Sequence, residues 1–308
     1  MIAGGAASDT ATLIRARARA KINLFLHVVG RRADGLHLLD SLVAFAAYGD
    51  ELTVDPARDI SLAIDGPFAH GLSAGDDNLV LRAARLLQAE CGTAAGARIR
   101  LTKNLPVASG IGGGSADGAA VLAALTRLWN VELPAERMAA LGLQLGADLP
   151  VCLAGRASFV GGIGERIDSA PPMADLEILL VNPLIPLPTV DVFRRRAQGA
   201  DAARFGAPGR WQEGPRGAEA LCARLADCRN DLTDAAMALV PEIAEVLRLV
   251  GAKPGCRLAR LSGSGATCFG LFIDSAAARS AAAAISAERP GWWAVATRLD
   301  LSGAGFAG

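Results

Sequence analysis

Apolar and polar residues alternate through residues 13–19, and the pattern runs on into Lys21-Ile22-Asn23-Leu24-Phe25-Leu26-His27-Val28. Alternation places successive side chains on opposite faces of a strand, so this stretch predicts a strand pair or one long strand. Residues 31–35 form a polar turn, and residues 38–45 and 50–54 read as two short strands. The period then changes. Asp76-Asp77-Asn78 offers helix-capping side chains ahead of the helically spaced apolar positions of residues 79–89. Residues 97–102 predict a strand, and a glycine-rich loop follows. Helices are expected from about residue 115 to 129 and from 134 to 145, where Pro134 suits a first turn. Residues 161–172 have the texture of a loop, and residues 177–181 open a new strand. The Gly-, Pro- and Arg-rich residues 206–217 read as an exposed loop, and residues 230–250 as helices restarted at Pro241. Strands at 257–261 and 267–273 flank a second glycine turn, ahead of an alanine-rich helix at 275–288 and a closing strand at 292–299. The order is that of an α+β protein.

Four segments carry candidate chemistry. The densest is Pro106-Val107-Ala108-Ser109-Gly110-Ile111-Gly112-Gly113-Gly114-Ser115, lying between a strand and a helix. Glycines there, Gly113 among them, are expected to take positive φ and let the backbone approach a ligand closely. The loop's N–H groups and the following helix start then face an anion, and Ser115 adds a hydroxyl for a phosphate oxygen or a magnesium ion. No Gly-Lys-Ser/Thr follows, so it is not a Walker loop, and it is a poor dinucleotide fingerprint. In the second segment Lys21 and Asn23 share one face of an otherwise apolar strand, with Phe25 assigned to the other side. A buried polar pair needs partners, whereas a surface strand edge does not. The third, Gly146-Ala147-Asp148-Leu149-Pro150, holds one acid in an apolar setting. It suits a proton acceptor or a partner for Lys21, and equally an ordinary cap. The fourth, Ser262-Gly263-Ser264-Gly265, either lines a cavity or merely turns a hairpin.

Composition narrows the classes. The 308 residues are 52% hydrophobic, enough for a real core and room for one large or two ordinary domains. Lys plus Arg and Asp plus Glu balance at 31 each, so no basic surplus points to nucleic acid or an anionic membrane. A local basic patch is still required if the ligand is a polyphosphate. The six cysteines are scattered without a CxxC pair, and three histidines make a zinc site improbable, so reduced, buried thiols are expected. The N-terminal twenty residues lack a long apolar run and read as a short extension, which suggests a cytoplasmic protein.

Taken together the segments resemble the GHMP kinases, over nearly the whole chain and in order. The matching residues are Ala20-Lys21-Ile22-Asn23-Leu24, Arg32-Ala33-Asp34-Gly35 with His37, Asp77-Asn78-Leu79, Leu105-Pro106 with Gly112-Gly113-Gly114-Ser115, Gly146-Ala147-Asp148 with Pro150, and Pro188-Thr189 before Phe193. Within the family the chain looks most like the branch whose acceptor is a cytidyl diphosphate sugar-alcohol of non-mevalonate isoprenoid synthesis. The resemblance implies an α+β, two-domain GHMP kinase fold with the active site in the interdomain cleft. An N-terminal ATP-binding domain would span residues 1–160 and a C-terminal domain 161–308. The last strand, about 292–300, is a candidate to return to the first domain. It implies ATP as co-substrate, Mg2+, and a monomer or homodimer.

Residue by residue, the resemblance implies that Asp148 deprotonates the acceptor hydroxyl and Lys21 steadies the developing charge. Asn23, His37, Ile163, Thr189 and Phe193 would hold the acceptor, His37 at the cytosine edge and Phe193 against its face. Asn78, Leu79 and Lys103 would border adenine. Pro106, Gly110, Ile111, Gly112, Gly113, Gly114 and Ser115 would wrap the phosphates, Ser115 being the candidate metal ligand. Two departures stand out. Leu36 occupies the place of a usual tyrosine, and Ser115-Ala116-Asp117 replaces a common Ser-Ser-Asn, which adds a negative charge near the phosphates. Competing readings are a GHMP kinase for another small alcohol such as homoserine, or a catalytically silent nucleotide-binding member. Intact Lys21, Asp148 and Ser115 argue against the latter.

Overall fold

The alternating N-terminal segment folds as one strand, β1 (Ile14–Arg31), antiparallel to an equally unbroken β2 (His37–Ala57). The computed structural model describes residues 13–199, 205–206 and 209–302, so the extension read at residues 1–12 lies outside the described residues. Register shifts occur between Arg19 and Lys21, between Asn23 and Phe25, and between Val28 and Gly30. Each shift offsets the alternation by one residue. Lys21 and Asn23 lie between two of them and keep one face. Beyond the second shift, Phe25 joins Ile22 and Leu24 in a single buried cluster.

After β2 come β3 (Ser61–Asp65), α1 (Leu79–Cys91), β4 (Gly96–Thr102), α2 (Gly113–Leu128), α3 (Ala135–Leu145), α4 (Leu149–Ala154), β5 (Ser158–Gly162) and β6 (Arg166–Ser169). The second half contains β7 (Leu176–Asn182), α5 (Thr189–Gln198), α6 (Ala218–Ala226), α7 (Thr233–Leu239), α8 (Glu242–Gly251), β8 (Leu258–Leu261), β9 (Cys268–Phe272), α9 (Ser275–Glu288) and β10 (Trp293–Asp300). Among the described residues the strands form one mixed sheet, in the order β3-β4-β2-β10-β7-β9-β8, with β1 beside β2 and the β5–β6 hairpin attached to β2. β10 runs along β7, and its last residues, Leu299 and Asp300, reach Ala46 and Phe45 of β2. A division after residue 160 falls inside β5, which hydrogen-bonds to β2 on one side and β6 on the other.

Three large clusters fill the interior. Leu52, Val54, Ile99 and Leu101 pack with Val80, Leu87, Val121, Leu125 and Leu149 in the first half. Leu179, Val181, Val246, Val250, Phe272 and Ile285 do so in the second. Ile22, Leu24, Phe25, Ile178, Leu180 and Phe269 join the halves. The two halves therefore share one buried cluster.

Four sequence expectations change. β2 is one strand, because pairing with β1, β4, β5 and β10 carries it through its Ala-Ala-Tyr-Gly middle. Residues 161–172, read as a loop, include the end of β5 and all of β6; Gly161, Gly162 and Gly164 disguised a hairpin. β3 and α4 are too short to establish a period. α5 lacked a clear apolar face, burying only Val192 and Arg196, and α6, nine residues long, buries just Leu221, Cys222 and Leu225. Among the described residues no helix is long and apolar enough to cross a membrane.

Candidate active site

The glycine loop is shaped by both of its flanks. Asp50 Oδ1 accepts the N–H groups of Asn104 (2.6 Å) and Leu105 (2.8 Å), which fixes the loop's entry. Ser109 Oγ donates to Pro106 O at 2.6 Å and closes its first turn. Gly110 and Gly112 take positive φ, 75° and 65°. α2 starts at Gly113, behind a glycine N-cap that offers no side chain, and its first bond runs from Ala116 N to Gly112 O. The N–H groups of Gly113, Gly114 and Ser115 therefore precede the helical ladder, at the positive end of the helix dipole. An arrangement of this kind can hold an anion with backbone alone.

Lys21 is strapped to this loop. Its N–H donates to Ile111 O at 2.9 Å, and a Cβ on Gly112 would lie 3.2 Å from Lys21 Cβ. Lys21 is only 5% exposed, and its Nζ donates to Asp148 Oδ2 at 2.9 Å. Asp148 occupies the N-cap of α4, yet its side chain makes no capping bond. The ordinary cap role left open by the sequence is therefore not what this carboxylate does. It faces Lys21 instead, 127 residues away in the chain.

The second glycine turn docks on the first. A Cβ on Gly110 would lie 2.5 Å from Ser262 O and 2.6 Å from Gly265 N. Ser262 Oγ accepts from Asn23 N and donates to Gly110 O, both at 3.2 Å, and Thr267 N donates to Ser109 O at 3.1 Å. Asn23 Nδ2 donates to Ser41 Oγ at 2.8 Å, while its Oδ1 is buried without a hydrogen-bond partner. The hairpin-only reading of residues 262–265 is thereby replaced by an interlock of two loops.

Other expected site residues fall in different environments. Ile111 is fully buried in the central cluster, so only its backbone belongs to the loop surface. Lys103 Nζ is held by Asp50 Oδ2 at 2.5 Å and Asp117 Oδ2 at 2.7 Å, with all three groups almost wholly buried. Burial works against the Lys103 charge, but Asp117 and Asp50 outweigh it and raise its pKa. Burial pushes the Asp117 carboxyl up to about 7, against the pull of Lys103 and reinforced by Asp50. The negative charge expected near the phosphates is thus spent on Lys103. Asn78 caps α1 by accepting from Val80 N at 2.9 Å, and Leu79 packs toward Gly118 of α2.

On the other wall, the His37 ring packs against Phe193 in a tilted arrangement, with centroids 5.2 Å apart. Burial, then Arg196 and Arg31, lower the His37 pKa, which favours the neutral ring with one donor and one acceptor. Ile163 lies in the β5–β6 turn, whose Gly164 faces Ala147, next to Asp148. Thr189 Oγ1 lies 2.8 Å from Ser264 Oγ. Ser41 and Asp50 were not singled out from the sequence for a role, and nothing local marks either; Ser262 was noted only as part of the second glycine turn.

The geometry also moves the glycine most sensitive to substitution. Gly113 lies within the helix, without positive φ, and a Cβ there would make only ordinary contacts at 3.6 Å or more, so the positive φ expected for it is corrected. Gly110→Ala is expected to abolish ATP binding or folding, because three backbone atoms of the second turn lie within 2.6 Å of the added carbon. Gly113→Ala should bind ATP within a few-fold of the native chain. Calorimetric titration of both variants checks this; equal behaviour would sink the assignment.

Two family models match, the GHMP kinases N terminal domain over residues 78–156 and the GHMP kinases C terminal over residues 212–290. The chain belongs to the GHMP kinases. It is 52% identical over 288 residues to a 4-diphosphocytidyl-2-C-methyl-D-erythritol kinase of Cereibacter sphaeroides, covering 93% of this chain and 99% of that one. The identity is 51% over 280 residues to the protein of that name from Rhodospirillum rubrum, with 91% and 90% covered. A crystal structure of 4-(cytidine 5'-diphospho)-2C-methyl-D-erythritol kinase superposes with a TM-score of 0.76 at 35% identity, covering 93% of this chain and 99% of the other.

Proposed function

We infer that this GHMP kinase transfers the γ-phosphate of ATP to the 2-hydroxyl of 4-diphosphocytidyl-2-C-methyl-D-erythritol, in isoprenoid precursor synthesis. The observation that carries the chemistry is the Lys21–Asp148 contact beside an open helix N-terminus. The relatives' near full-length identity carries the acceptor. Asp148 takes the proton of the 2-hydroxyl as its oxygen bonds to the γ-phosphorus, and the bond from that phosphorus to the bridging oxygen of ADP breaks. Lys21 steadies the charge on the entering oxygen and the transferring group. Phosphoryl transfer depends chiefly on such positioning and charge stabilisation. The loop from Pro106 through Ser115 cradles the phosphates with backbone N–H groups, and Asn78 and Leu79 border the adenine side; Lys103, buried between Asp50 and Asp117, does not reach the nucleotide and instead braces the loop's entry. Asn23 Oδ1 is the buried acceptor that a substrate hydroxyl would satisfy.

Mg2+ fits as an ion brought by the nucleotide. Among the described residues no group of three or more His, Cys, Asp or Glu could hold a metal. Phosphate oxygens with Ser115 Oγ supply the hard oxygen donors that magnesium prefers. There it would neutralise phosphate charge. Six free thiols support a reducing, cytoplasmic setting. The deciding experiment is a coupled ADP-release assay offering the cytidyl acceptor beside homoserine and mevalonate. Turnover with homoserine or mevalonate in preference to the cytidyl compound would overturn the reading.

His37, Ile163, Thr189 and Phe193 form the acceptor wall, with the base against Phe193. Leu36 is 48% exposed, so a larger side chain has room. Leu36→Tyr is expected to lower the acceptor KM by up to about tenfold at unchanged kcat, as base stacking does. Phe193→Ala should weaken the acceptor more than ATP. Acceptor binding indifferent to Phe193→Ala would mean that the base is stacked elsewhere.

A further inference from the structure

We propose that Ser264 is a positioning residue for the acceptor: it fixes Thr189, and through its turn it ties the acceptor wall to the phosphate loop. The proposal rests on the reading of Thr189 as part of that wall.

Ser264 is 6% exposed, and its hydroxyl lies 2.8 Å from Thr189 Oγ1. Thr189 is the first residue of α5, behind Pro188, which offers no capping side chain. The Ser264 contact therefore orients the start of this helix. Phe193 stands four residues further on, on the same face, and packs at a tilt against His37. Setting Thr189 thus sets the approach of Phe193.

The turn carrying Ser264 is held from two sides. Asn230 Nδ2 donates to Leu261 O at 2.9 Å and to Gly263 O at 2.8 Å. Asn182 Nδ2 donates to Thr267 Oγ1 at 2.8 Å on the other side. The glycines flanking Ser264 press on the phosphate loop: a Cβ on Gly263 would lie 2.8 Å from Gly110 O. Gly110 can shift only if this turn shifts with it, and Thr189 then follows through Ser264. A coupling of this kind needs a contiguous packed path between the two sites, and these residues provide one.

The test is a double-mutant cycle with Ser264→Ala, Thr189→Val and the pair, reading acceptor KM, kcat, ATP affinity by calorimetry and the thermal midpoint. A lost hydrogen bond of ordinary strength corresponds to about a three- to tenfold rise in acceptor KM. Each single variant should show it, and the double should be no worse than Thr189→Val. ATP affinity without acceptor should be unchanged. Ser264→Thr, which keeps the hydroxyl, should restore acceptor KM. If Thr189→Val raises KM and Ser264→Ala does not, or if the two effects multiply, Ser264 does not act through Thr189 and the acceptor wall still stands. If Thr189→Val is silent, the wall assignment fails as well. Loss of ATP affinity or thermal stability in step with KM would make Ser264 merely structural and overturn the proposal.

Discussion

Asp148→Ala is expected to lower kcat by about 10²–10⁴-fold, the usual contribution of a general base, with ATP affinity close to native. The carboxylate is the only acidic group in direct contact with Lys21 among the ion pairs of the described residues, and it makes no capping bond whose loss would unwind α4. Its removal leaves the almost buried Lys21 ammonium without that partner, so some loss of stability should accompany the alanine variant. Asp148→Asn separates the two effects. The amide oxygen can still accept from Lys21 Nζ, but the group cannot take up the hydroxyl proton. Both variants should therefore be slow, and only the alanine variant less stable. Single-turnover ADP release, calorimetry with ATP and thermal midpoints provide the readouts. A folded Asp148→Asn retaining more than about a tenth of the rate would remove Asp148 from the proton transfer.

Lys103→Met is expected to cost about 3–5 kcal/mol of folding stability, the usual consequence of stripping a buried ion cluster of one sign. Asp50 and Asp117 would then face each other with no cation between them, and neither reaches water. Because Asp50 also holds the N–H groups of Asn104 and Leu105, the entry of the phosphate loop should loosen and ATP KM should rise. Asp117 gives the cluster a pH dependence. Its carboxyl is pushed up to about 7 from an ordinary value of 3.8, so between these values the folded chain keeps a proton that the unfolded chain releases. The stability owed to that group is full below the lower value and is lost as pH rises through the upper one. Asp117→Asn should flatten this slope and raise the denaturation midpoint most at about pH 8, well above the folded pKa. Urea denaturation across the pH range checks both variants. A Lys103→Met midpoint equal to that of the native chain would show that the cluster is not what holds this region.

Much of the fold was legible where local chemistry and tertiary demand agree. The cap at Asn78, the helix after the glycine loop, the alanine-rich α9 and the strand preceding each glycine turn were set by periodicity and capping side chains. The errors lay where pairing partners decide. β2 runs through a weak Ala-Ala-Tyr-Gly middle because other strands flank it, and β6 forms because β5 waits beside it. α4, six residues long, has no period to read.

The same division holds at the site. The order of Lys21, the glycine loop, Asp148 and the Ser262–Gly265 turn is a property of the sequence, and it suffices to recognise the family and to propose a phosphate cradle and a base. Roles that need only a residue type at a fixed local spacing can be read this way. The meeting of Lys21 with Asp148, the interlock of Gly110 with Ser262 and Gly265, and the sequestration of Lys103 between Asp50 and Asp117 were decided by tertiary structure. Each joins positions well separated in the chain. Which glycine must lack a side chain, and whether an acid is a base, a cap or a counter-ion, depends on atoms that only the packed core brings within 3 Å.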